Sequence, residues 1–188
     1  MRNIRIISFA FAILAFLSAG ASAQQVLSAA DKRIIADFEK RANAYYQFRE
    51  RIEGRLKKLP DNATPEQIQI YKTSFQQSVQ MARRRAKQGE LFTPAATSLI
   101  RRMIKTEFVG WKRSELRKSV LEADTKAVPL KINVPYPESQ ELVEMPPQLL
   151  LVLPQMPRAL RFRFVSRNLV ILDRENALII DFMRNALP

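Results

Sequence analysis

Neither histidine nor cysteine occurs among the 188 residues. Without imidazole there is no Ser-His-Asp triad and no histidine general base, and without either side chain the usual zinc, copper and haem sites are excluded. The enzymatic routes left are paired carboxylates, a serine-lysine dyad, or a metal held by oxygen ligands alone. With no disulfide to staple it, the fold must rest on a packed core. Acidic residues are also scarce: 18 stand against 31 lysines and arginines, a formal net charge of +13. A field of that sign favours anionic surfaces such as phosphorylated lipids, cell-envelope polymers or nucleic acid.

The N-terminus has the form of an export signal. Arg2 and Arg5 precede a run of 12 largely apolar residues, 6–17, and the stretch closes on Ala21-Ser22-Ala23. These are the basic region, apolar region and small-residue cleavage site of a secretory signal. A membrane-spanning helix needs about 20 apolar residues, so the run reads as a cleaved signal peptide over 1–23, with the cut between Ala23 and Gln24. The mature chain of 165 residues, 24–188, is then periplasmic or secreted, with no transmembrane segment and a formal charge of +11 from 29 basic and 18 acidic residues. No cysteine follows the cut, so lipid anchoring is not expected. The length suits one domain, or one domain with an extension.

The pattern predicts an α+β fold. Ser28 is placed to cap a helix, with Asp31 in its first turn. Apolar residues recur at Ile35, Phe38, Ala42, Tyr45, Ile52, Leu56 and Leu59, interrupted only by Arg49. This coiled-coil-like seam predicts a helix over 29–59, ended by Pro60, about 46 Å long at 1.5 Å per residue. Thr64-Pro65-Glu66-Gln67 then has the capping-box form with proline at the first helical position. A second helix should carry Ile68, Tyr71, Phe75, Val79, Ala82 and Ala86 and stop at Gly89, giving a long antiparallel αα-hairpin across a short turn. Thr93-Pro94 opens a third helix with Leu99, Ile100, Met103, Ile104 and Phe108 on one face. A fourth is expected over 114–123, with Trp111 capping the core.

Past Asp124 the period changes. Val128, Leu130, Ile132 and Val134 alternate with polar residues and Pro129, which suits an edge strand or an incomplete pairing. A connector to 157 carries six prolines, at 135, 137, 146, 147, 154 and 157, with a helical turn over 147–153. Residues 160–165, 169–172 and 178–182 read as a three-stranded antiparallel meander with turns at Ser166-Arg167-Asn168 and 173–176. The expected divisions are 1–23 signal, 24–124 helical region, 125–157 edge strand and proline-rich connector, and 158–188 meander packed on the helices.

The stretch RFVSRNLVILDRENALIIDF, Arg163 to Phe182, resembles the closing module of a family of uncharacterised bacterial proteins with signal peptides. KQGELFTP, 87–94, and VPLKINVPYP, 128–137, resemble that family's middle. The resemblance implies export and a shared architecture; it carries no activity, cofactor or catalytic residue with it.

Among candidate sites, Asp173 and Asp181 have the separation of paired carboxylates around a turn, but a neighbouring Arg163 or Arg167 would depress a general acid's pKa. Turn capping by Asp173 and an ion pair at Asp181 are the expected roles. Glu138, Glu141 and Glu144 lack the loop of a calcium site, and Ser114 with Lys118 misses the catalytic S-x-x-K spacing by one residue. No cofactor, metal or catalytic residue is expected. The densest basic cluster is Arg83, Arg84, Arg85 and Lys87, with Lys57 and Lys58 at the opposite end of the hairpin. These six are the expected binding residues of a non-enzymatic envelope protein that engages an anionic component or a protein partner. Nucleic acid is disfavoured, because no aromatic platform accompanies the charge. The helical seam offers a surface for self-association. The alternative is a carboxylate-dependent hydrolase of envelope polysaccharide.

Overall fold

The computed structural model describes residues 27–108, 128–140 and 144–187. Among the described residues, four helices and three strands follow in the order α1 (Ala29–Glu53), α2 (Pro65–Ala82), α3 (Pro94–Glu107), α4 (Pro147–Val152), β1 (Leu160–Val165), β2 (Asn168–Asp173) and β3 (Ile179–Met183). The fold is α+β, helical in its first half with an antiparallel sheet at the end.

Local chemistry sets each helix start. Ser28 Oγ accepts the Asp31 amide at 3.0 Å while the Asp31 carboxylate accepts the Ser28 amide. Thr64 and Gln67 form the same reciprocal pair, and Thr93 accepts from the Ala96 amide. The stops differ from expectation. α1 ends at Glu53 rather than at Pro60, because Gly54 is a weak helix former and the next amides, Arg55 and Leu56, turn back onto Ile52 and Glu53 in tighter i−3 bonds. α2 ends at Ala82, not Gly89. Gly89 instead sits at φ +90° in the following loop, a conformation that favours glycine. The link between α1 and α2 therefore runs over 54–64, but the two helices are antiparallel as expected: Tyr71 lies on Glu53, Phe75 under Arg49 and Arg83 over Tyr45. Trp111, Ser114, Lys118 and the fourth helix expected over 114–123 lie outside the described residues, as do Glu141 and the expected signal.

The sheet is a meander, β1-β2-β3. Phe162 pairs with Ile171 and Ile171 with Asp181, with a bulge after Ile171. Its inner face packs on the helices: Phe38 of α1 stacks on Phe162 at 6.1 Å, and Phe92 closes the cluster at 5.8 Å from Phe38. Phe162, Phe164, Ile171, Ile180 and Phe182 are all buried. Val170, Leu172, Ile179 and Phe182 form a second cluster, covered by Val128, Leu130, Ile132 and Tyr136. The 128–136 segment makes no regular strand. Its one bridge is Pro135 to Leu178, flanked by amide bonds from Asn133 to Ile179 and from Tyr136 to Ala177. The prolines at 129, 135 and 137 have no amide proton to continue a ladder.

Candidate anion-binding site

Alternation along β1 turns Phe162 and Phe164 inward, and so places Arg161 and Arg163 together on the other face. Register sets them opposite Leu172 and Val170, neither of which offers a countercharge. Two more arginines join them. Arg158 lies two residues before β1. Arg174, the first residue past β2, folds back so that its amide donates to the Ala159 carbonyl at 2.8 Å and its Nε to the Leu160 carbonyl at 3.2 Å. All four line a cavity of about 380 Å³ that is also lined by Leu150 of α4 and by Leu153, Pro154, Gln155, Met156 and Pro157 after it.

Among the described residues, this lining holds four arginines and no carboxylate. The Nε atoms of Arg161 and Arg163 are buried and meet no acceptor. Burial pushes the pKa of Arg161 down, helped by the charge of Arg174 and opposed by Asp173. Arg163 is pushed down by burial and by Arg161, against the pull of Glu144. A guanidinium stays charged in spite of such shifts, so the like charges persist and an anion in the cavity would relieve both desolvation and repulsion.

On the far side of Arg158 and Arg174 lies the opposite arrangement. Arg49, the residue that interrupts the α1 seam, is buried, and its guanidinium stands 4.8 Å from the Phe75 ring centroid. Its Nε donates to Asp173 at 3.2 Å, Nη1 to Glu50 at 2.8 Å and Glu53 at 3.0 Å, and Nη2 to Glu175. Asp173 is fully buried; it also accepts from the Tyr45 hydroxyl at 2.8 Å and the Glu175 amide at 3.0 Å. Burial opposes the charge of Arg49, but the four carboxylates, Asp173 foremost, raise its pKa. Glu175 is also raised, by burial first and by its acidic neighbours, with Arg49 pulling the other way. Burial and Asp173 push Tyr45 well up. Arg49, Glu50, Glu53 and Glu175 line a cleft of about 700 Å³ that Arg158 and Arg174 also line. Its acids are all hydrogen-bonded to one arginine, an arrangement that staples α1 to the end of β2.

The expected roles of the two aspartates change accordingly. Asp173 caps its turn as anticipated, but the buried ion pair is its own. Asp181 makes no ion pair among the described residues; it is fully buried and accepts the amides of Gly89, Leu91, Phe92 and Phe182 at 2.8–2.9 Å. The two stretches 87–94 and 178–182 thus meet through one carboxylate. Arg163 and Arg167 are elsewhere, donating to the carbonyls of Phe162 and Leu187. The two carboxylates share no hydrogen-bond partner.

The expected basic residues divide. Arg83 is only 8% exposed: Nη2 donates to Glu90 at 2.9 Å and to the Ile180 carbonyl at 3.2 Å, and the guanidinium lies 5.1 Å from the Tyr45 ring centroid. It is part of the interior. Arg84, Arg85 and Lys87 are exposed at one end of the hairpin, and Lys57 and Lys58 at the other. The four-arginine cleft was not anticipated, although the R-x-R alternation of 161–163 already puts two cations on one face of a strand. Arg158 stands three residues before Arg161, and Arg174 joins them only through the fold of the meander. No family model, curated protein or solved structure matches this chain.

Proposed function

We propose that the protein is an exported, non-enzymatic binding protein of the bacterial cell envelope, and that it takes an anionic group in the cleft formed by Arg158, Arg161, Arg163 and Arg174. The observation that carries this reading is the convergence of four guanidinium groups on one cavity with no carboxylate among its described lining, two of them keeping a buried, unpartnered Nε. The export pattern at the N-terminus supports the address. Arg84, Arg85, Lys87, Lys57 and Lys58 add long-range attraction from the two ends of the hairpin; exposed charges of that kind each contribute little and are screened by salt.

The test is calorimetric titration of the mature chain with inorganic pyrophosphate, a compact probe for clustered guanidiniums. Hydrogen bonds to charged groups are worth about 1.5–3 kcal/mol each, so Arg161→Ala with Arg163→Ala should weaken binding at least about tenfold. Replacing Arg84, Arg85 and Lys87 by serine should change it only about twofold. Equal losses from both variants, or no binding by the parent protein, would overturn the assignment.

A further inference from the structure

Resting on that anion-binding reading, we infer that the anion is the headgroup of a membrane lipid, and that the protein docks peripherally on an anionic bilayer through α4 and the edge of β1. Apart from the arginines and Gln155, the cavity's lining is apolar. α4 is a six-residue helix framed by Pro146, Pro147 and Pro154, and it leaves Leu150 54% and Leu151 88% exposed, the latter the most exposed large apolar side chain among the described residues. Leu150 lines the arginine cavity itself, so the cations and the outward leucine lie on one edge. A soluble polyanion would use the guanidiniums and leave the leucines in water. An uncharged apolar partner would cover the leucines and leave four like charges uncompensated. A lipid offers both chemistries at the right levels: phosphate at the headgroup plane for the arginines and the acyl boundary just below it for Leu150 and Leu151.

The contact is one of surface docking, since no helix among the described residues is long and apolar enough to cross a membrane. Each arginine near an anionic leaflet strengthens attachment roughly fivefold, and burying each leucine contributes about tenfold or more. Neither element alone gives stable attachment; the two together do, which is the usual two-signal requirement for peripheral binding.

Co-sedimentation with phosphatidylcholine vesicles, with and without phosphatidylglycerol, alongside the pyrophosphate titration, separates the two levels of the claim. The expected result is attachment to the phosphatidylglycerol vesicles only, weakened about tenfold in a Leu151→Ser variant whose melting temperature and pyrophosphate affinity match the parent. If that variant sediments as well as the parent, or if pyrophosphate binds while the anionic vesicles do not, the lipid inference is overturned and the anion site stands. If neither probe binds, both fall.

Discussion

One arginine surrounded by four carboxylates, and a cleft of four arginines with no carboxylate among its described lining, lie on either side of the same ridge, Arg158 and Arg174. Around Arg49 all three guanidinium nitrogens donate to acids of the chain, and the group lies between Phe75 and the end of β2. Around Arg161 and Arg163 the described residues supply the Phe162 carbonyl to Arg163 and no acid in hydrogen-bond contact. Burying an ion pair costs several kcal/mol per charge unless the partner geometry is complete. The first cluster meets that demand internally, as a structural staple. The second leaves it open, as a binding site does.

The largest effect that would break this contrast is at Arg49. Arg49→Met keeps the bulk against Phe75 but strands the buried Asp173 carboxylate with a tyrosine and backbone amides. Removing one partner of a buried pair costs about 3–5 kcal/mol, and each 1 kcal/mol moves the melting temperature by about 2–4 °C in a chain of this size. A drop of about 10 °C in thermal denaturation is expected. A near-neutral result would mean that the staple carries no structural weight.

A smaller change of opposite sign should follow in the other cluster. Arg161→Leu with Arg163→Leu removes two partly desolvated like charges, so stability should hold or rise by about 1 kcal/mol in denaturant titration, even as pyrophosphate binding is lost. Destabilisation beyond that amount would place these arginines among the structural ones.

The smallest effect is a pH dependence at Glu175, whose side chain is 55% exposed. Its folded pKa is raised above the usual carboxylate value, so the folded state binds its proton more tightly than the unfolded state does. The resulting penalty is complete above the folded pKa and is relieved as pH falls through it toward the unfolded value. Glu175→Gln should therefore melt slightly higher than the parent at neutral pH, and the gap should close on acidification. A gap that widens instead would mean that the pull of Arg49 outweighs the surplus of acids.

Much of this architecture was legible in short-range chemistry. Ser28, Thr64 and Thr93 mark three helix starts, and the alternation from Leu160 to Val165 marks the strand and which of its residues share a face. The α1 seam was legible too, and it contained its own signal of a site. Arg49 follows Phe38, Ala42 and Tyr45 at helical spacing, so it had to point inward with them, and an inward arginine requires acids. The helix stops were less legible, because Gly54 competed with an apolar pattern that continued to Leu59, and because the glycine read as the end of α2 serves a loop held by Asp181.

What the residues determined alone are the features set within four or five positions of the chain: caps, stripes, strand alternation, the excess of positive charge and the export pattern at the start. Which charge meets which was decided only by the tertiary structure. Arg49 finds Asp173 across 124 positions, Asp181 finds the Leu91 amide across 90, and Arg174 reaches the start of β1 by way of the meander. The physical reason is that desolvation makes a buried charge depend on whatever lies within hydrogen-bond reach. A buried arginine therefore becomes a staple or a binding group according to what the fold places opposite it.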